Sequence, residues 1–158
     1  MRTGLDLYAN IRPAKTRMGV SSAVEKMDLV FARENTEGFY ADRSMHMGNG
    51  EMMVTEDVAI AIRKITREAS RKIAEAAFKL AMQRRRKVTI VTKRNVLKMT
   101  DVLFHDTVCE VAKSYPEVEV DDVIIDAMTA LMVRTPASFD VICTSNMYGD
   151  ILSDLGGG

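Results

Sequence analysis

The second half of the chain alternates short apolar segments with amphipathic ones, and this pattern constrains the fold most. The segments "KVTIVTK" (87–93), "VEVDDVIID" (118–126) and "FDVICTSN" (139–146) are each followed by a segment of helical character. Short runs rich in β-branched residues are typical of buried strands. The alternation predicts an α/β fold, with helices layered on a sheet. The helices are expected at 96–114, 127–134 and 147–155.

The first half is less regular. "MDLVFAREN" (27–35) is predicted to be a strand, and residues 1–19 a short helical or irregular segment followed by a loop. A protruding β-hairpin arm is expected at 39–55, with Asn49-Gly50 as its turn. Because an isolated hairpin is marginally stable, its methionine-rich arms are expected to lean on another surface, such as a second subunit.

The clearest helix is expected over 55–86, where apolar residues recur at spacings of three and four. Thr55 is a plausible N-cap for it. The basic run 84–87 would then lie at the carboxyl end of this helix, where it complements the helix dipole.

Composition excludes several classes of function. The 158 residues suit a single domain spanning 1–158, and 22 basic residues balance 22 acidic ones. This balance argues against a nucleic-acid or membrane binder. No apolar run reaches the roughly 20 residues that a membrane span needs. Cys109 and Cys143 lie in apolar surroundings, which favours reduced thiols and a cytoplasmic location.

Polar residues follow three of the predicted strands. Lys93, Asp126 and Asn146 each stand where an apolar run ends. Functional residues of open α/β sheets gather just past the carboxyl ends of their strands. We therefore expect these three side chains to belong to one functional edge.

Three aspartates are candidate ligands of Mg²⁺ or Mn²⁺, which prefer carboxylate oxygens. Asp126 ends one strand, and Asp150 and Asp154 are one helical turn apart in "NMYGDILSD" (146–154). Like charges at that spacing repel unless something positive lies between them. The alternative interpretation is that Asp150 and Asp154 are acids of a first helical turn, favoured by the dipole.

Arginines and possible proton-transfer groups complete the candidates. Arg2, Arg12 and Arg33 would suit a substrate with more than one carboxylate, because a guanidinium binds carboxylate bidentately. Ordinary salt-bridging arginines are the alternative. Tyr40 and Lys93 could transfer protons if burial or nearby charge tuned them. The alternatives are a packing tyrosine and a solvated lysine.

Five stretches resemble the metal-dependent β-decarboxylating dehydrogenases, the isocitrate and isopropylmalate dehydrogenase family. The resemblance covers almost the whole chain, and the order and spacing of the stretches also match. They are "LDLYANIRP" (5–13), "ARENTEGFY" (32–40), "VTKRNVLKMTD" (91–101), "IIDAM" (124–128) and "NMYGDILSD" (146–154).

The resemblance implies a role for each candidate. Arginines would hold the substrate carboxylates, and Asn95 would line the substrate region. Tyr40 would protonate the enol left by decarboxylation. Lys93 would be donated across the dimer interface to the partner's site, where it would help to move the hydroxyl proton. Asp150 and Asp154 would bind Mg²⁺ or Mn²⁺ in one subunit while Asp126 reaches it from the other. Asn146 would line the nicotinamide region of NAD or NADP. The arginines that would hold the substrate carboxylates are Arg2, Arg12 and Arg33.

The resemblance also implies a homodimer clasped by the 39–55 arm and neighbouring helices. The substrate would be a di- or tricarboxylic 2-hydroxy acid, such as isocitrate, isopropylmalate or tartrate. The 158 residues correspond to the smaller, catalytic and dimerisation domain, and contain neither a "GDGIGPE"-type stretch nor a "HGSAPDIAG"-type loop for the cofactor. We therefore expect no turnover by this chain alone. The alternative is a non-catalytic dimeric module that binds metal and carboxylates or serves interaction.

Overall fold

The computed structural model describes residues 7–17, 19, 24, 26–40 and 47–157. Seven strands and four α-helices are assigned within these residues. The strands are β1 (Ala9–Lys15), β2 (Asp28–Glu34), β3 (Glu51–Thr55), β4 (Val58–Ala61), β5 (Lys87–Thr92), β6 (Glu119–Ile124) and β7 (Val141–Thr144). The helices are α1 (Arg67–Met82), α2 (Thr100–Ala112), α3 (Ile125–Arg134) and α4 (Asn146–Gly157).

The main sheet has five strands in the order β1-β2-β7-β5-β6. Strands β2, β7, β5 and β6 are parallel, while β1 joins the edge antiparallel to β2. Pro13 is tolerated in β1 because an edge strand needs backbone donors on one side only. The carboxyl ends of the four parallel strands therefore share one edge of the sheet, which we call the carboxyl edge.

The predicted layering of helices on a sheet is confirmed, and the helices cover both faces of the sheet. Side chains alternate across each strand, so Ala32 and Cys143 meet α1 and α2 on one face. Phe31 and Ile142 meet α3 and α4 on the other. Burying both faces explains why the central strands are continuously apolar. The predicted strands at 27–35, 87–93, 118–126 and 139–146 and the three later helices are confirmed, with shorter bounds for most of them.

The hairpin forms, but its predicted bounds are wrong. Its strands are β3 and β4, and its turn is Glu56–Asp57, where the Asp57 N–H donates to Thr55 Oγ1 at 3.2 Å. Asn49-Gly50 precedes the first strand, and the Gly50 carbonyl accepts from Ile62 N–H at 2.7 Å. Every residue of both strands is exposed. Part of the expected arm, 41–46, lies outside the described residues.

The start of the long helix was also predicted wrongly. Helix α1 begins at Arg67, and its N-cap is Thr66, whose side chain accepts from the Ala69 N–H. Val58 and Ile62 fit a helical period, but Val58 belongs to β4, where β-branched residues are favoured. Residues 9–15, expected to be helical or irregular, form β1 because the exposed edge of β2 offers a complete ladder of hydrogen bonds.

Candidate active site at the carboxyl edge

Arg33 is at the centre of the site. It lies at the carboxyl end of β2, and its side chain is only 3% exposed. Its Nε and Nη2 donate to Asn146 Oδ1 at 3.1 and 2.7 Å, and Nη1 donates to Asp150 Oδ1. Burial lowers the pKa of the Arg33 guanidinium, and the charge of Asp150 opposes that shift. A buried charge is tolerable here because α4 supplies both a counter-ion and amide oxygen.

Arg12 lies beside the acidic pair of α4. Its Nη1 lies 3.2 Å from Asp150 Oδ1 and 3.6 Å from Asp154 Oδ1, and donates to Ser153 Oγ at 2.6 Å. Asp150 and Asp154 therefore tolerate each other because arginine charge lies between them. The first-turn interpretation of the two acids is wrong, since α4 begins at Asn146 and has no acid in its first turn.

Asn146, the first residue of α4, is 1% exposed. Besides accepting from Arg33, its side chain donates from Nδ2 to the Glu37 carbonyl at 3.0 Å. Both ends of the amide are thus engaged by the protein. The second Nδ2–H is the amide group that would remain for the cofactor contact that the family resemblance implies for this residue.

The segment after β2 carries Tyr40, which is half-buried and lies near Arg33. Glu34 closes the turn before it by accepting from the N–H groups of Thr36 and Glu37 at 2.6 and 2.9 Å. The Glu37 carboxylate accepts from the Thr66 N–H at 2.8 Å. These bonds tie the segment to the start of α1 and so position Tyr40.

Lys93 and Asp126 form a second group on the same edge. Lys93 follows β5, Asp126 lies in the first turn of α3 after β6, and their side chains are paired. The Lys93 ammonium holds the pKa of Asp126 below its usual value. Asp126 is 68% exposed and Lys93 is 29% exposed, so the pair opens to solvent.

Sequence reasoning missed two residues, Asp101 and Arg63, which hold the backbone at Lys93 in place. Asp101 and Arg63 form an ion pair whose side chains are 1% and 6% exposed. Asp101 also accepts the backbone N–H of Lys93, and Arg63 donates to Ser145 Oγ at 3.1 Å. Asp101 ends the stretch "VTKRNVLKMTD", but no local pattern pairs it with an arginine 38 residues away.

A second tyrosine borders this buried pair. Burial, reinforced by the charge of Asp101, raises the pKa of Tyr148 to about 12. Its hydroxyl therefore stays protonated at neutral pH. Arg63 lies over its ring, 5.3 Å from the centroid.

The structure thus brings together Arg12, Arg33, Tyr40, Asn146, Asp150 and Asp154. It does not bring Lys93 and Asp126 into that group, because β5 and β6 lie across β7 from β2. Asn95 is exposed in the loop after β5. Arg2 lies outside the described residues.

The donor set fits part of a site for a hard divalent cation. Asp150 and Asp154 offer carboxylate oxygens one turn apart, with 38% and 79% of their side chains exposed. Within the described residues, no group of three His, Cys, Asp or Glu side chains could hold a metal ion. The third ligand expected from the sequence, Asp126, lies at the other group of the same edge.

Among the residues that the structure describes, the helices are too short or too polar to span a bilayer.

Comparison with known proteins identifies a family and several relatives that resemble this chain. The family model described as isocitrate/isopropylmalate dehydrogenase matches residues 1–157. A 3-isopropylmalate dehydrogenase of Archaeoglobus fulgidus is 46% identical over all of this chain, which spans 46% of that protein. An isocitrate/homoisocitrate dehydrogenase of Thermus thermophilus is 47% identical over all of this chain, which spans 45% of it.

A solved structure agrees. The isocitrate dehydrogenase of Methylococcus capsulatus superposes with a TM-score of 0.88 and 44% identity, covering 97% of this chain and 44% of that one. The chain thus spans just under half the length of the curated relatives above. With the family model matched over 157 residues and the carboxyl-edge residues within it, the chain belongs to the isocitrate/isopropylmalate dehydrogenase family.

Proposed function

We propose that this chain supplies the substrate- and metal-binding part of a β-decarboxylating dehydrogenase. The enzyme would oxidise and decarboxylate a 2-hydroxy acid with a β-carboxylate, such as isocitrate, isopropylmalate or tartrate, using NAD or NADP. The observation that carries the proposal is the convergence of Arg12 and Arg33 on Asp150 beside Tyr40. Family membership supports the reaction type.

Arg12 and Arg33 would bind the substrate carboxylates, together with Arg2 in the segment that precedes β1. A guanidinium presents a planar fork that matches a carboxylate, so two of them would fix the plane of a dicarboxylate. Within the described residues Arg33 commits three of its five N–H groups to Asn146 and Asp150. The other two remain for a ligand.

Tyr40 and Lys93 would handle protons. Tyr40 would return a proton to carbon after CO₂ leaves. Lys93 would help to move the substrate's hydroxyl proton, and Asn95 in the next turn would line the substrate region. The Asp101 carboxylate accepts the backbone N–H of Lys93, and this bond fixes the main chain that carries the lysine side chain.

Asp150 and Asp154 would hold Mg²⁺ or Mn²⁺, with Asp126 of the partner subunit as a further ligand. A bound divalent ion supplies Lewis-acid polarisation of the substrate oxygen. The separation of Lys93 and Asp126 from Arg33 within one chain supports a site completed by two copies. Two strand spacings lie between β2 and β5, which is about 10 Å.

A homodimer would bury two apolar surfaces of the described chain. The hairpin exposes Met53 (64%) and Ile60 (45%), and the α3–α4 face exposes Val133 (52%), Ile151 (48%) and Leu155 (41%). An unsupported hairpin is marginal in water, so a partner would stabilise it. We expect Ile60→Glu or Ile151→Glu to give monomers in light scattering, whereas Met99→Glu, in an exposed loop, keeps the dimer. Monomeric wild-type protein would contradict the dimer.

The test of function is calorimetric titration of the chain with Mn²⁺, with and without isocitrate or isopropylmalate. Binding that disappears in Asp150→Ala/Asp154→Ala supports the proposal. No binding at millimolar metal would favour an interaction module instead. The isolated 158 residues are expected to give no NADH from these acids, and NADH formation would contradict that. A cytoplasmic location is also proposed, since both cysteines are free thiols.

A further inference from the structure

Three residues at the start of α4 surround Arg33, and we call them the arginine cradle: Asn146, Gly149 and Asp150. Asn146 accepts two guanidinium bonds, and Asp150 accepts a third. Gly149 lies under the aliphatic stem, because a Cβ added there would stand 2.6 Å from Arg33 Cγ and 2.7 Å from its Cβ. The cradle therefore contacts the whole length of the Arg33 side chain.

Asn146 also reaches the segment that carries Tyr40. Its Nδ2 donates to the Glu37 carbonyl at 3.0 Å, and Gly38 next in sequence has φ +92°, a conformation that favours glycine. The Asn146 Cβ lies 3.4 Å from where a Gly38 Cβ would be. One buried amide therefore links the guanidinium of Arg33 to the turn before Tyr40.

We propose that Asn146 is a positioning residue that orients the Arg33 guanidinium toward a substrate carboxylate without touching substrate or cofactor itself. The inference rests on the proposed function for its ligand, a hydroxy acid with two or more carboxylates. Its physical basis is that a bidentate carboxylate bond requires the guanidinium plane to be fixed. An amide that is 1% exposed, and bonded at both ends, fixes that plane from behind.

The test combines two readouts on the whole chain. The first is the Nε–H resonance of Arg33 in ¹H–¹⁵N NMR spectra, assigned by its absence in Arg33→Lys. Asn146→Ala is expected to lose this resonance to solvent exchange. Asn146→Asp, which keeps an oxygen for Arg33, is expected to retain it. The matched control is Asn35→Ala, another buried amide, which donates to the Leu7 carbonyl at 3.0 Å.

The second readout is calorimetric binding of isocitrate in the presence of Mg²⁺. Asn146→Ala is expected to weaken binding at least tenfold, while Asn146→Asp stays within threefold of wild type. In an Arg33→Ala background, Asn146→Ala is expected to add nothing, because both changes act through the same guanidinium.

Several results would overturn the proposal. They are a persistent Arg33 Nε–H resonance in Asn146→Ala, unchanged isocitrate affinity in that variant, or losses that add in the double variant. If Asn146→Ala does not fold, Asn146→Ser replaces it with the same expectations, since its hydroxyl is too short to reach the guanidinium. If the wild-type chain binds no isocitrate, the proposed function fails on that result, and the resonance comparison alone decides the role of Asn146.

Discussion

The two ends of the parallel sheet carry the same residue types, arginines and aspartates, in opposite circumstances. At the amino end, Asp140 is 1% exposed and accepts from Arg84 Nε and the Arg85 N–H, each at 2.8 Å. Arg84 also donates to Asp28 at 2.7 Å. This cluster joins the end of α1 to the sheet. A ligand cannot reach its central carboxylate, Asp140, because that side chain is buried.

At the carboxyl edge the carboxylates stay open. Asp150, Asp154 and Asp126 expose 38%, 79% and 68% of their side chains. Arg12 is shared between Asp150 and Asp154 rather than committed to one. The difference teaches that charge pairing alone does not mark a site. What marks it is pairing that solvent or a ligand can reach and replace.

The largest expected effect breaks the amino-end cluster. Asp140→Ala leaves Arg84 and the Arg85 N–H facing an empty position, and we expect a loss of about 3 kcal/mol in unfolding free energy. Denaturant titration measures it. Asp154→Ala, at the open end, is expected to stay within about 0.5 kcal/mol of wild type. Equal losses in the two variants would remove the distinction between the ends.

A smaller effect is expected from filling the arginine cradle. In Gly149→Ala the new methyl group meets the Arg33 stem at 2.6 Å, so the side chain or α4 must shift. We expect a loss of about 2 kcal/mol, measured by thermal or denaturant unfolding. Gly157→Ala in the same helix has nothing within 4 Å and is the matched control, expected to be neutral or slightly stabilising. A neutral Gly149→Ala would mean that Arg33 is not tightly held.

The smallest expected effects concern pH. They contrast Asp28 and Glu34, the first and last residues of β2. Hydrogen bonds from Arg84 and Lys15 lower the pKa of Asp28 from its ordinary 3.8. Burial raises the pKa of Glu34 from its ordinary 4.5, against hydrogen bonds from Thr36. NMR titration of the two carboxyl carbons is expected to give a pKa below the ordinary value for Asp28 and a pKa above it for Glu34.

The signs fix how each acid affects stability. Asp28 contributes stability above pH 3.8, and this is lost as pH falls through its lower folded pKa. Glu34 contributes below pH 4.5, and this is lost as pH rises through its higher folded pKa. Asp28→Asn should reduce the change in unfolding free energy below pH 3.8 by at most about 1 kcal/mol, after solvent screening. Glu34→Gln should reduce the change in unfolding free energy above pH 4.5. An unchanged pH profile in both variants would contradict these assignments.

Sequence patterns predicted more of the second half of the chain than of the first. Strands β5, β6 and β7 are apolar runs closed by helical segments, so local composition sufficed to locate them. The hairpin was misplaced because Asn49-Gly50 is a stronger local turn signal than Glu56–Asp57. Strand β1 was missed because its conformation depends on pairing with β2, which no local pattern shows.

By itself the sequence determined the alternation of strands and helices, and hence which residues follow strand ends: Lys93, Asp126 and Asn146. These follow from hydrophobic periodicity, which is local. Only the tertiary structure decided what those residues meet. Arg33 finds Asn146 across 113 positions, and Arg63 finds Asp101 across 38. Such partners are chosen by the order of strands in the sheet and by the cost of burying an unpaired charge, and neither is written in a single segment.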